Sequence, residues 1–362
     1  MTTRVYNFNP GPAALPLSAI EKARDELLSF RGTGMSIMEV SHRSAEFGAL
    51  LKETDAGLRG LLAIPDDYAI LYLGGGASLQ FSMAPINLLG PGQTADYVET
   101  GEWSSKAIKE ARKVGRVNVA ASTKEEKFRR IPRPEELKLT PGAAYVHITS
   151  NNTIFGTQWQ RFPDAGSVPL VADMSSDILS RPFDVKPFGL IYAGAQKNLG
   201  PAGVTVVIVR RDLVGKAPEN TPTMLNYKTH LDGNSLFNTP PCFAIYMIKL
   251  VLDWVQEQGG LAAVAARNEK KARLLYDAID NSNGFYRGTC DKDSRSRMNV
   301  TFVLGREELS EAFAKESSAA SLKGLKGHRS VGGFRASIYN AVGMDAVEAL
   351  VAMMEKFRKR NS

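Results

Sequence analysis

Residues 190–203 read LIYAGAQKNLGPAG. The first part, Leu190–Ala193, is an apolar run of the kind a buried strand needs. It leads into Lys197 and then into a turn rich in glycine and proline. Another apolar run, Val204–Val209, follows quickly and reads as an adjacent strand. A lysine at the end of a buried strand is costly unless it is solvated, paired or neutral. Taken alone, Lys197 also fits a solvent-facing strand end. Its other use is a Schiff base, for which desolvation and nearby cations lower the amine pKa.

The same alternation spreads outward. Short apolar runs stand at Ala69–Leu73, Thr94–Val98, Ala143–Ile148 and Pro169–Ala172. Helical spacing marks Leu17–Phe30, with apolar residues at 17, 20, 27 and 28, then Phe47–Leu62 and Leu79–Leu88. Buried runs alternating with helices predict an α/β domain with a mostly parallel sheet. The pattern changes after Gly259-Gly260. Leu261–Ile279 predicts a long charge-rich helix, Met298–Leu304 a strand and Glu307–Leu322 a helix. Phe334–Tyr339 predicts a strand and Met344–Arg360 a final helix. These form a smaller α+β unit of about a hundred residues, with its boundary near Gly259-Gly260.

The chain has 362 residues, 45 Lys and Arg against 38 Asp and Glu, and a net charge of +7. Its 43% apolar and 23% charged content is ordinary globular composition, which excludes disorder, collagen or coiled coil as whole-chain descriptions. Two cysteines, Cys242 and Cys290, exclude a disulfide framework and a Cys-only zinc site. Four histidines leave little room for a metal cluster, and no metal is expected. Apolar runs fall far short of the roughly 20 residues that span a bilayer. The first residues, MTTRVYNFNPGPAALP, hold no apolar signal core. A soluble, cytoplasmic protein with no membrane partner is expected. The cations are spread out, densest at Lys124–Arg133 and Lys356–Arg360. That distribution argues against nucleic acid as a partner and suits small anionic substrates.

Four signals carry chemistry. Lys197 is the first. Asp173, closing VPLVAD, is the second, 24 residues earlier and about one strand–crossover–strand unit away. A carboxylate at the carboxyl end of such a strand stands where α/β ligands bind, although a helix N-cap is the plainer use. Together the Asp and Lys fit a pyridine cofactor, the Lys holding its aldehyde and the Asp its protonated ring nitrogen. The third is Gly74-Gly75-Gly76-Ala77-Ser78, between a strand and a helix, either an anion site or a plain tight turn. It is neither a Walker loop nor a dinucleotide fingerprint. The fourth is a pair of His-Arg dipeptides, His42-Arg43 and His328-Arg329, with Arg335 just beyond; each alone also fits surface charge. Trp103, just past a strand, fits a stacking ring or a core residue. His147 and His230 have no evident partner and read as structural or exposed. No HExxH, GxSxG or CxxC motif occurs.

These strings carry a resemblance that runs nearly end to end: FNPGPAALP, MSIMEVSHR, GGGASLQF, TADYVETGEWS, ADMSSDILSRP, YAGAQKNLGPAG, LFNTPP and GHRSVGGFRASIYNA. The chain resembles the class V pyridoxal-phosphate-dependent aminotransferases, and within them the phosphoserine aminotransferase family. The resemblance implies the fold-type I transferase fold, with a large α/β domain around a mostly parallel, seven-stranded-type sheet. The chain is accordingly divided into residues 16–258 as the large domain and residues 1–15 with 259–362 as the small α+β domain.

The resemblance implies pyridoxal 5'-phosphate as cofactor, with Lys197 bound to its aldehyde and later acting as acid and base, and Asp173 on the pyridinium nitrogen. It implies Trp103 stacked on the ring, and Ala77, Ser78, Thr153 and Gln196 at the cofactor or its phosphate. Asn238 and Thr239 would reach the cofactor phosphate of the other subunit, so a homodimer is implied. Arg335 would hold the substrate α-carboxylate. His42, Arg43, His328 and Arg329 would take the substrate phosphate or the glutamate side chain, some from the neighbouring subunit, with Asn9 beside the glutamate site. Some relatives carry Arg at the position of Ser78 and Ser at that of Asn9. The implied reaction interconverts O-phospho-L-serine and 3-phosphohydroxypyruvate with glutamate and 2-oxoglutarate, as in serine biosynthesis, with phosphohydroxy-threonine as a family side activity in pyridoxine biosynthesis. The rivals are an alanine–glyoxylate-type aminotransferase, a cysteine desulfurase, which needs a nucleophilic Cys, and a binding protein that has lost catalysis.

Overall fold

The buried runs assemble into one seven-stranded sheet. In a computed structural model describing residues 4–362, its strands lie in the order Tyr68–Leu73, Thr205–Arg210, Phe188–Gly194, Leu170–Asp173, Val146–Thr149, Thr94–Glu99 and Arg116–Ser122. Thr205–Arg210 runs antiparallel to both neighbours, and the other pairings are parallel. Strand Tyr68–Leu73 shows why the runs are continuously apolar. Tyr68, Ile70 and Tyr72 enter one core, and Ala69, Leu71 and Leu73 enter another on the opposite face. Helices Ala45–Leu62 and Cys242–Glu257 cover the first face, while Gly76–Leu88 and Glu102–Ala111 cover the second.

Three expectations change. The first helix stops at Asp25 instead of Phe30. Phe30 reaches the core through a separate tight turn, edge-on to Tyr246 at 5.4 Å, with Arg31 at φ 50°. Leu28, which fits the helical spacing, is 87% exposed. The helix expected over Glu307–Leu322 is regular only over Ser310–Ala319. Ser321 turns left-handed at φ 60°, and Leu322-Lys323 leaves to pair in parallel with Tyr6-Asn7. Strand Arg116–Ser122 escaped the sequence reading because only Ala120 in it is buried, and Arg116, Asn118 and Ser122 interrupt any apolar run.

A separate core gathers Phe8, Leu275, Val300, Phe302, Phe334, Leu350 and Phe357. It is built on the antiparallel sheet Tyr286–Gly288, Asn299–Leu304 and Phe334–Ser337, with helices Gly260–Asp280 and Met344–Asn361. Phe8 brings the N-terminal segment into it; residues 1–3 of that segment lie outside the described residues. Among the described residues no helix is long and apolar enough to cross a membrane. The parallel strands end along one edge of the large sheet, where α/β ligands bind.

Candidate active site

Strand Phe188–Gly194 ends at that edge, and the chain folds back over Ala195–Gly200, where Gly200 N–H donates to Ala195 O at 2.8 Å. Lys197 lines a cleft of about 240 Å³ together with Ala77, Ser78, Trp103, Asp173 and Gln196. Its Nζ donates to Thr153 Oγ1 at 2.6 Å and lies 5.5 Å from the centre of the Trp103 ring. Burial pushes the amine down to about 8; Asp173 opposes that shift and Arg335 adds to it. Gly11 packs on the lysine stem. At φ +143° any larger residue is strained, and a Cβ there would sit 3.2 Å from Lys197 Cγ.

Asp173 closes the neighbouring strand Leu170–Asp173. Its Oδ1 accepts from Ser175 N–H at 3.0 Å and Ser175 Oγ at 2.6 Å. Ser175 Oγ in turn accepts from Gly194 N–H at 3.0 Å, so the serine ties both strand ends together. The second carboxylate oxygen has no hydrogen-bond partner among the described residues. Burial raises the pKa of Asp173, and Ser175 and Lys197 pull it back. Sequence reasoning missed Ser175, although an Asp followed two positions later by Ser is an Asx-turn signal.

The glycine stretch opens helix Gly76–Leu88, whose first N–H groups carry no side-chain cap. Gly75 sits at φ +84°, where a Cβ would strike Leu79. Ala77 and Ser78 present this helix start to the cleft, a natural seat for an anion. Trp103 rides on helix Glu102–Ala111, held by Ser104 Oγ, which accepts from Thr100 and Gly101 N–H at 2.9 and 3.0 Å. The indole N–H is buried without a partner, and Lys106 Nζ lies 4.7 Å from the ring centre.

Arg335, on strand Phe334–Ser337, is 5% exposed. One guanidinium nitrogen donates to Thr153 O at 3.4 Å, Nε is buried without a partner, and no carboxylate among the described residues pairs with it. Burial lowers its pKa. A buried, unpaired guanidinium is expensive and is relieved by an anion it can grip with two bonds. Burial lowers the pKa of His328 as well, with the charges of Arg335 and Arg329 adding, and its Nδ1 is 2.7 Å from Ser330 Oγ. Arg329 is exposed. Asn9 abuts Gly324, where the same loop begins.

The other candidates stand elsewhere in this chain. His42 and Arg43 precede helix Ala45–Leu62 and do not line the cleft; His42 Nε2 is buried without a partner. Asn238 and Thr239 are exposed and line an adjacent groove with Gly74, Leu79 and His230, sharing only Gly203 with the cleft. His147 is buried beneath the site, stacked on Tyr97 at 4.7 Å with Nε2 2.8 Å from Tyr192 OH, and burial drives it to about 3. His230 Nε2 lies 3.0 Å from Met224 O. The Cys242 thiol meets Pro240 O at 3.3 Å, and that of Cys290 meets Gly156 O at 3.3 Å. Burial pushes Cys290 up to about 11, and neither thiol lines the cleft. The arrangement therefore offers an amine near neutrality, a carboxylate with one free oxygen, a ring, a helix start and an unpaired guanidinium.

Comparisons with known proteins agree with that chemistry. The family model described as Aminotransferase class-V matches residues 5–350. The chain is 60% identical to a phosphoserine aminotransferase of Geobacillus kaustophilus, covering 99% of each. The solved phosphoserine aminotransferase from Bacillus circulans subsp. alkalophilus superposes with TM-score 0.98 at 57% identity, covering 100% of both chains. An alanine–glyoxylate aminotransferase of Nostoc sp. shares the fold at TM-score 0.73 and 16% identity, over 99% of this chain and 96% of that one. The chain belongs to the class-V aminotransferase family.

Proposed function

We propose that this chain is a pyridoxal 5'-phosphate-dependent aminotransferase that moves the amino group of O-phospho-L-serine to 2-oxoglutarate, giving 3-phosphohydroxypyruvate and glutamate, and the reverse. The observation that carries it is the meeting of Lys197 and Asp173 in one cleft, with the unpaired Arg335 bonded to Thr153, the residue that also holds Lys197 Nζ. The residues fit the cofactor: a buried carboxylate keeps one oxygen free, and an uncapped helix start faces the same space. Bound there, pyridoxal phosphate supplies an aldehyde for amines and a protonated ring that draws electrons from the substrate α-carbon.

Lys197 would hold the aldehyde, Asp173 the ring N–H and Trp103 the ring face. Ala77, Ser78, Thr153 and Gln196 would hold the remaining polar atoms, with Asn238 and Thr239 of a second copy at the phosphate. Lys197 Nζ, its pKa lowered by burial, would take a proton from the substrate α-carbon and deliver it to the cofactor's aldehyde carbon. Thr153 Oγ1 gives that amine a resting partner. Arg335 grips the α-carboxylate common to both substrates. His328, Arg329 and Asn9, with His42 and Arg43 of the second copy, take the variable end. A histidine suits that place because an arriving dianion raises its pKa and recruits its charge. Phosphohydroxy-threonine, with the same two anionic ends, is a further substrate of this site.

The homodimer, the cytoplasmic location and the division into residues 16–258 and 1–15 with 259–362 belong to the same reading. Exposed Leu17, Leu28, Met38 and Phe237 support a partnered face, and the free thiols Cys242 and Cys290 support a reducing compartment. Relatives 57% and 60% identical carry the phosphoserine aminotransferase name, which favours that substrate over alanine. The test is the visible spectrum of the purified protein. Adding O-phospho-L-serine should bleach the cofactor band, and 2-oxoglutarate should restore it. A band that ignores phosphoserine but answers alanine would discard the substrate, and no band after adding pyridoxal phosphate would discard the enzyme.

A further inference from the structure

A second lysine is buried more completely than Lys197. Lys271 lies on helix Gly260–Asp280 with 0% of its surface exposed, and no carboxylate among the described residues pairs with it. Its Nζ donates to three carbonyls of one turn: Ile338 at 3.0 Å, Tyr339 at 2.8 Å and Val342 at 2.9 Å. Three acceptors match the three N–H donors of an ammonium. Burial works the other way, pushing the amine down to about 7, with Arg267 adding to it.

The turn that Lys271 grips reaches Lys197 from two sides. Asn340 N–H donates to Asn198 Oδ1 at 2.9 Å, on the residue next to Lys197. Asn268, one helical turn before Lys271, holds Asn340 Oδ1 at 2.8 Å, and Asn340 Nδ2 donates to Leu179 O at 2.8 Å. On the other side Tyr339 OH donates to Pro10 O at 2.9 Å, beside the Gly11 that packs on the lysine stem. The strand carrying Arg335 runs directly into this turn.

We propose that Lys271 is a positioning residue: by holding Ile338–Val342 as one rigid piece, it sets Lys197 in place relative to Arg335. It acts through the Asn340–Asn198 and Tyr339–Pro10 contacts and touches neither substrate nor cofactor. The proposal rests on the aminotransferase reading.

The test compares the wild-type holoenzyme with Lys271→Met, Asn198→Ala and a control, Phe357→Leu, whose ring packs on Phe285 and Phe313 in the small core without touching Lys271 or the Asn198 contact. Three quantities are measured: the melting temperature, the pH midpoint of the visible cofactor band, and kcat and KM with O-phospho-L-serine. Lys271→Met and Asn198→Ala should lower kcat by about tenfold or more, as misplaced reacting groups do. KM should change little and the band's pH midpoint should move. Phe357→Leu should lower only the melting temperature. Asn198→Ala removes the acceptor of the Asn340 N–H, leaves the Lys271 contacts intact and decides the question if Lys271→Met does not fold. A kcat and midpoint that match the control at equal loss of melting temperature would overturn the proposal. A wild-type band that does not respond to phosphoserine would instead overturn the aminotransferase reading, and this proposal with it.

Discussion

Lys197 and Lys271 are both taken out of water, and burial drags both amines down, to about 8 and about 7. Their surroundings then part. Lys197 has one hydroxyl partner and an open cleft in front of it. Lys271 has three carbonyl partners and none of its surface exposed. A depressed pKa therefore marks burial, and spare bonding capacity facing a cavity marks reactivity. The stronger shift belongs to the lysine with nothing to react with.

The largest expected effect breaks the symmetry outright. Lys197→Ala should cut transamination by at least about a thousandfold, the scale of a lost general acid–base group. It should leave the melting temperature of the cofactor-free protein intact, whereas Lys271→Met lowers it. Next comes Arg335→Ala, which removes a charged, two-bond grip worth about 2–3 kcal/mol. kcat/KM for O-phospho-L-serine should fall roughly 30- to 150-fold by that figure, and equal losses for phosphoserine and glutamate would place Arg335 on their shared carboxylate.

A pH series sharpens the contrast further. With the cofactor removed, an amine-directed reagent needs the neutral form of Lys197. Labelling mapped by mass spectrometry should rise about tenfold per pH unit and level off above about 8, where that amine has lost its proton. Lys271 should stay unlabelled across the series despite its lower value, and its labelling in folded protein would break the comparison. Ser175→Ala, which loosens Asp173 without removing its charge, should cost roughly tenfold in kcat, the low end of what a hydrogen bond to a charged group is worth. The smallest effect is expected from Cys290→Ala, whose thiol lies outside the cleft; activity in steady-state assays should stay within about twofold, as for a substitution away from the site.

Much of this was legible in sequence because burial on both sheet faces writes itself as apolar runs. Ala69–Leu73 and Leu190–Ala193 could be read directly, and Lys197 and Asp173 stand out because charge terminates such a run. Arg116–Ser122 could not be read, since a strand that is mostly half-buried writes no continuous apolar run. Phe30 misled because a residue can reach the core through a turn as well as a helix. The supports of the site were illegible for another reason. Lys271, Asn340 and Gly11 act through contacts between distant positions, and local spacing records nothing of them. The roles of His42, Arg43, Asn238 and Thr239 rested on family resemblance, and in a single chain they stand away from Lys197.

The hydrogen bond from Tyr339 to Pro10 spans 329 positions of sequence. The large sheet closes within residues 68–210, so it can form on the ribosome while much of the chain is still unmade. The Lys197 surroundings cannot, because Pro10 waits for Tyr339 and Asn198 waits for Asn340. A chain stalled before residue 338 would hold every strand of the large sheet and still lack both contacts that close around Lys197.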